Sequence, residues 1–275
     1  MRFRSARFGL IKTLEYIDRG GQSLVYLGKP LDSIFNHEVV VKVFNNYKAY
    51  SNELSILSKL HYDGFQCHDN IIHVLDTGIE MYKNKQKKCL IYPYYNFGDG
   101  VDYSNDRLNY DLFKTCLDVE NDYKNIWDAI AYAHNKHVMH LDIKPQNIVS
   151  YHENKTIIPV LIDWGLSDVK RKMAGRRGSY SYISPEMNNR ALMFDHKTDI
   201  WSMGVSWFII ITAKDEIFQY ASRYNIYKRG WKHIQDEHGD IWYNLTPKTR
   251  EILKASLIPN PDDRASAAEI YNLLV

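Results

Sequence analysis

The spacing of apolar residues changes character near Tyr95, and that change constrains the fold more than any other feature of the chain. Before it, the apolar residues fall in short runs of strand length at 10–17, 23–28, 39–44, 71–76 and 89–94. One helix interrupts them at 47–60, where Leu54, Leu57 and Leu60 recur at helical spacing. After Gly98 the spacing is helical, most clearly over 110–134, 199–213, 247–257 and 265–274, and short strands persist only at 147–150 and 159–162. A strand-rich first third with a single helix, followed by a helical remainder, implies an α+β chain built as two lobes, with ligands expected in the cleft between them.

With 275 residues, 45% of them hydrophobic, the chain is long enough for a substantial core, and little length is left for tails or separate regulatory domains. Lys and Arg number 35 against 33 Asp and Glu, a formal charge of +2, so overall charge gives no reason to expect nucleic acid or a membrane as partner. The basic start from Arg2 to Arg7 meets Lys12 and Glu15 before any signal-like apolar run, and the most apolar stretch, 201–213, is shorter than the ~20 residues needed to span a bilayer. An intracellular protein, cytoplasmic or nuclear, is expected. Cys67, Cys89 and Cys116 lack the paired spacing of a zinc site or disulfide framework and read as free thiols.

The strongest chemical signal is His140-Leu141-Asp142-Ile143-Lys144-Pro145-Gln146-Asn147, followed by an apolar strand that ends in Asp163-Trp164-Gly165. One HxD triplet is an ordinary turn; eight ordered positions with a second motif downstream are not. The pair resembles the catalytic loop H-R-D-x-K-P-x-N and the metal-binding D-F-G of protein kinases. Further matches are Val39-Val40-Val41-Lys42 for V-A-I-K, Glu53 on the next helix, Ser184-Pro185-Glu186 for A-P-E and Asp199-Ile200-Trp201-Ser202-Met203-Gly204 for D-x-W-S-x-G. Arg264 falls where the family's late arginine pairs with the glutamate of A-P-E. The resemblance spans nearly the whole chain and implies a single bilobal kinase domain over 1–275: a small strand-rich N-lobe at 1–92 with one key helix, a hinge at 93–98 and a larger helical C-lobe at 99–275.

The resemblance also implies roles. Asp142 would orient the substrate hydroxyl and accept its proton, and Lys144 would hold the transferring phosphoryl. Asn147 and Asp163 would supply hard oxygens to Mg²⁺, and Lys42, fixed by Glu53, would reach the phosphates of ATP. The glycine-rich loop maps to Asp18-Arg19-Gly20-Gly21-Gln22-Ser23 and keeps only Gly20, with Asp18 placing a carboxylate beside the phosphates. Tyr92 takes the gatekeeper position, Tyr94 and Tyr95 the adenine-facing hinge, Asp99 the ribose-binding position, and Ile17, Val25, Val40 and Ile162 the apolar walls.

Lys144-Pro145 and Gly178-Ser179 resemble serine/threonine kinases, with Ser179 able to bridge Asp142 and Lys144. Ser23, the run 39–43 and Trp164 resemble casein kinase two catalytic subunits, although that family's lysine-rich run on the helix carrying Glu53 is missing. Lys170, Arg171, Lys172, Arg176 and Arg177 point to protein substrates acidic around the target residue. Leu141 replaces the arginine that binds activation-segment phosphate, which implies constitutive activity. The competing readings are a pseudokinase that binds nucleotide or partners without catalysis, favoured by the degraded glycine loop, and a kinase-fold phosphotransferase acting on a small molecule.

Overall fold

The computed structural model describes every residue except 32–36, 62–67, 83–84 and 171, so Cys67 and Arg171 lie outside the described residues. The chain divides into two compact units, Met1–Asn96 and Phe97–Val275.

In the first unit the strands β1 (Arg2–Ser5), β2 (Gly9–Arg19), β3 (Ser23–Pro30), β4 (Val39–Phe44), β5 (Asp76–Tyr82) and β6 (Lys85–Pro93) form a closed antiparallel barrel in the order β1-β2-β3-β4-β6-β5. β1 closes it: Phe3 lies opposite Ile11 of β2 on one side and Glu80 of β5 on the other. Side chains alternate along each strand, so Phe3, Ile11, Val39, Val41, Val43, Cys89 and Ile91 fill the interior together with Phe8. The opposite face of β4 carries Val40 and Lys42, and their partners on β6 are Tyr92 and Leu90. The helix α1 (Tyr47–His61) buries Ala49, Tyr50, Glu53, Ile56, Leu57 and Leu60, a stripe at helical spacing with one carboxylate in it.

The run at 71–76 departs from its expected strand. Ile71 and Ile72 are buried, but regular strand starts only at Asp76 and continues through Thr77-Gly78, where pairing to β6 and β1 rather than apolar sequence keeps the chain extended.

The second unit comprises α2 (Gly100–Asn105), α3 (Leu112–Asp122), α4 (Lys124–Asn135), a hairpin of β7 (Ile148–Glu153) and β8 (Thr156–Leu161), a ribbon of β9 (Met173–Ala174) with β10 (Met193–Phe194), α5 (Pro185–Asn188) between those two, and then α6 (Lys197–Thr212), α7 (Tyr220–Arg229), α8 (Trp231–Glu237), α9 (Gly239–Trp242), α10 (Pro247–Ser256) and α11 (Ala267–Leu274). The helical stretch expected at 110–134 is two helices, broken at Tyr123. α6 is buried on every side from Thr198 to Ile211, and at Gly204 a side chain would run into Ser256 of α10. Among the described residues no helix is long and apolar enough to cross a membrane. Cys89 and Cys116 are free and buried, and burial pushes their thiols up to about 12 and about 11, where they are inert.

Candidate active site

In the first unit, Lys42 and Glu53 meet. The Lys42 Nζ donates to both carboxylate oxygens of Glu53, at 2.8 and 2.7 Å, with the two side chains 10% and 2% exposed. The phenol of Tyr92 donates to Glu53 Oε1 at 2.7 Å. Burying an ammonium and a carboxylate is tolerable only when they are paired and otherwise hydrogen-bonded, and both conditions hold here. The strand register explains the grouping. Val25 of β3 lies directly opposite Lys42, and Val40 lies opposite Tyr92, so all four occupy the barrel's outer face.

In the second unit the loop before β7 is held from below by Asp199 at the start of α6. Its Oδ2 accepts from the backbone amide of His140 at 2.8 Å and its Oδ1 from that of Leu141 at 2.9 Å, while His134 Nε2 lies 3.0 Å from Oδ2. Burial works against a charge on Asp199, yet His134 and the Leu141 amide hold its carboxyl below the ordinary range. These bonds stabilise a left-handed backbone at Leu141, φ 69°, a conformation that disfavours any residue with a Cβ. His140 is locked as well. The Asp142 amide donates to Nδ1 at 3.3 Å, so Nε2 carries the proton and donates to the Ile162 carbonyl at 3.0 Å; burial lowers the imidazole pKa and keeps the ring neutral.

Three groups converge on Asp142. Its Oδ1 accepts from the Ser179 amide at 2.8 Å, its Oδ2 lies 3.4 Å from Lys144 Nζ and 3.3 Å from Asn147 Nδ2, and Asn147 also donates to the Asp142 carbonyl at 2.8 Å. Lys144 donates onward to Ser179 Oγ at 3.0 Å. The close approach requires Gly178, with φ 79°, since a side chain there would collide with the Leu141 carbonyl.

Asn147 and Asp163 sit at the two open ends of the β7–β8 hairpin. Ile148 pairs with Leu161, and the Ile162 amide donates to the Asn147 carbonyl at 2.9 Å. Asp163 is itself left-handed, φ 60°, and Trp164 behind it is fully buried, its indole donating to the Leu161 carbonyl and its ring packed edge-on against His140 at 4.5 Å. An amide oxygen and a carboxylate suit Mg²⁺, a hard cation that keeps waters and takes its remaining oxygens from a phosphorylated substrate. Among the described residues no group of three or more His, Cys, Asp or Glu could form an all-protein cage.

Other expected residues have more mixed surroundings. Gly20 lies in the three-residue turn between β2 and β3, while Ile17 on β2 is 45% exposed, next to an irregularity in the β2–β3 pairing. Asp18 is also exposed, its Oδ1 accepting the Arg19 amide at 2.6 Å. Tyr94 is exposed, whereas Tyr95, Val25, Val40 and Ile162 are half-buried. Asp99 caps α2, with Oδ1 accepting from Val101 and Asp102 amides at 2.7 and 3.2 Å, and burial raises its pKa. Sequence reading did not find the carboxylate-binding use of Tyr92, whose signal was a polar-tipped aromatic at a β6 position facing away from the barrel.

The A-P-E-like glutamate is satisfied deep in the second unit. Arg264 grips Glu186 with two bonds of 2.8 and 3.1 Å and donates to the carbonyls of Ile258 and Lys197.

Residues 11–273 match the family model described as protein kinase domain. The chain belongs to the protein kinase family. It is 24% identical over 93% of its length to calcium-dependent protein kinase 3 of Plasmodium yoelii yoelii and 27% identical over 94% to the PR5-like receptor kinase of Arabidopsis thaliana. It covers only 46% and 40% of those two proteins, about half their length or less. Myosin light chain kinase A of Dictyostelium discoideum is 28% identical over 94% of the chain, which covers 85% of that protein. The strand-rich first unit and the helical second unit are the kinase domain's mixed α+β architecture.

Proposed function

We propose that the chain transfers the γ-phosphoryl group of ATP to serine or threonine hydroxyls of protein substrates, and does so without prior phosphorylation of its activation segment. The observation that carries the reading is the convergence on Asp142 of the Ser179 amide, Lys144 and Asn147, because phosphoryl transfer needs mainly placement and charge neutralisation. In this reading Asp142 accepts the substrate hydroxyl proton and Lys144 stabilises the charge of the moving phosphoryl. Lys42, aligned by Glu53, holds the nucleotide phosphates. Asn147 and Asp163 hold Mg²⁺, which when bound neutralises phosphate charge. Val25, Val40, Ile17, Ile162, Gly20, Tyr94, Tyr95 and Asp99 are assigned to nucleotide contact.

Serine/threonine specificity is supported by Lys144 and its bond to Ser179, and a protein substrate by the myosin light chain in the name of one relative. Kinship with casein kinase two catalytic subunits rests on Trp164, Ser23 and the run 39–43 alone. Independence from phosphorylation is supported by the surroundings of Leu141, which is buried with Met139, Met173, Ile183, Met187 and Phe194. Met173 and Phe194 are also paired across the β9–β10 ribbon, so apolar packing holds the segment where other kinases use an arginine and a phosphate. A preference for acidic substrates is supported by Lys170, Lys172 and Arg176; Arg177 is partly neutralised by Asp168 at 3.6 Å. A peptide array should therefore return acidic positions near the target, with a preference that weakens as salt is added, and a basic or proline-directed consensus would reject that part.

The test of the main reading uses protein made in bacteria, treated with phosphatase and shown by mass spectrometry to be unmodified between Gly165 and Ser184. Incubated with γ-labelled ATP, Mg²⁺ and a general protein substrate, it should yield phosphoserine or phosphothreonine. Label on tyrosine alone, or turnover that appears only after the segment is phosphorylated, overturns the corresponding part.

A further inference from the structure

We infer that Tyr92 is a positioning residue for phosphoryl transfer: its hydroxyl holds Glu53, and through Glu53 the Lys42 ammonium, in the productive arrangement. The inference rests on the reading of Lys42 and Glu53 as the pair that places the nucleotide phosphates.

Three elements meet at this point. Lys42 is on β4, Glu53 is on α1 eleven residues later, and Tyr92 is on β6, 39 residues beyond Glu53. The β4–β6 register sets Tyr92 opposite Val40 and Leu90 opposite Lys42, so the ammonium and the phenol leave the same face of the barrel one alternation apart and arrive at the same carboxylate. Glu53 is 1% exposed and Tyr92 5% exposed. The phenol bond to Glu53 is short, 2.7 Å, and its acceptor is ionised and shielded from water, the conditions under which one hydrogen bond counts most. A carboxylate tied only to a flexible lysine could follow that lysine as it moves. Tied also to a rigid ring with two torsions on a central strand, it is anchored to the sheet, and α1 with it.

The position expected to line the nucleotide pocket thus has a second task carried entirely by its oxygen. The ring and the hydroxyl are therefore separable by substitution: phenylalanine keeps the ring in place and deletes only the bond to Glu53. Loss of a hydrogen bond to a buried charged acceptor is expected to lower kcat of Tyr92→Phe by roughly 10- to 100-fold, with little change in KM for ATP because the ring is retained.

The experiment measures kcat, KM for ATP, and hydrogen exchange of peptides from 47–61 in the full chain, for the parent, Tyr92→Phe, Glu53→Leu and the double variant, with Lys42→Met as the control. Thermal melting checks that each variant is folded. The expected result is a lower kcat and faster exchange in α1 for Tyr92→Phe, and no further loss in either quantity when Tyr92→Phe is added to Glu53→Leu, since the phenol then has no acceptor at position 53 to hold. Should Glu53→Leu leave too little turnover to measure, the exchange cycle gives the same answer without activity. An inactive Lys42→Met beside a Tyr92→Phe that matches the parent, or a Tyr92→Phe effect of equal size in both backgrounds, overturns the inference and leaves the kinase reading intact. A fully active Lys42→Met overturns the reading of the pair, and the inference with it.

Discussion

Replacing Leu141 tests how the catalytic loop and the activation segment are held together. Leu141 is 3% exposed and packs with side chains from the loop, from β9 and β10 and from α5. Truncating a leucine so placed costs about 2 to 5 kcal/mol. Alanine leaves a Cβ in the left-handed backbone, φ 69°, whose steric cost is about 1 to 2 kcal/mol. Glycine removes the same packing and relieves that cost, but loses about 0.4 to 1 kcal/mol through the greater freedom of its unfolded chain. The balance places Leu141→Gly about 0.5 to 1 kcal/mol above Leu141→Ala, the reverse of the usual order in buried positions. Urea unfolding of the phosphatase-treated protein, followed by a probe in the second unit, gives both values. A glycine variant no more stable than the alanine variant refutes the reasoning from the backbone at this position, and full activity in both variants refutes the packing of Leu141 as what orders the segment.

The Arg264–Glu186 pair is buried on both sides and gives two further expectations. Arg264→Met strands the Glu186 carboxylate and is expected to cost ~3 to 5 kcal/mol by thermal or urea unfolding, whereas replacing both partners with apolar residues should cost much less. Stability should also depend on pH in a definite direction. Burial holds the folded pKa values of His140 and His73 below the ordinary 6.5, so between pH 7 and 5.5 the unfolded chain takes up protons that the folded chain refuses. Their contribution is present above 6.5 and is lost as pH falls, so the urea midpoint should drop over that range; a midpoint that stays level or rises contradicts it.

Much of the scaffold was legible because the residues that build it alternate. Val39, Val41 and Val43 against Lys42 announce a strand with one apolar face and one that must do something else, and α1 carries its stripe at helical spacing. The closing strand β1 was not legible, since Arg2-Phe3-Arg4-Ser5 offers one large apolar side chain and becomes a strand only because β2 and β5 flank it. β5 was displaced for the same reason: Asp76-Thr77-Gly78 has no strand composition and takes its conformation from its neighbours. In the site, the local motifs marked Asp142, Asn147 and Asp163, and their spacing follows from one hairpin. Long-range partners left no trace in the spacing. The bond from Tyr92 to Glu53 and the cluster around Leu141 join residues tens of positions apart, and only the folded backbone brings them together.

The most direct test of the central claim compares the unmodified parent with Asp142→Asn, measuring phosphoryl transfer from γ-labelled ATP alongside calorimetric binding of Mg²⁺-ATP. Asparagine keeps the size of the side chain and an acceptor for the Ser179 amide, but cannot take up the substrate's proton. Transfer should fall by roughly 10² to 10⁴-fold while nucleotide affinity stays close to that of the parent. Equal rates of transfer in the two proteins would contradict the assignment of Asp142 and the catalytic reading built on it.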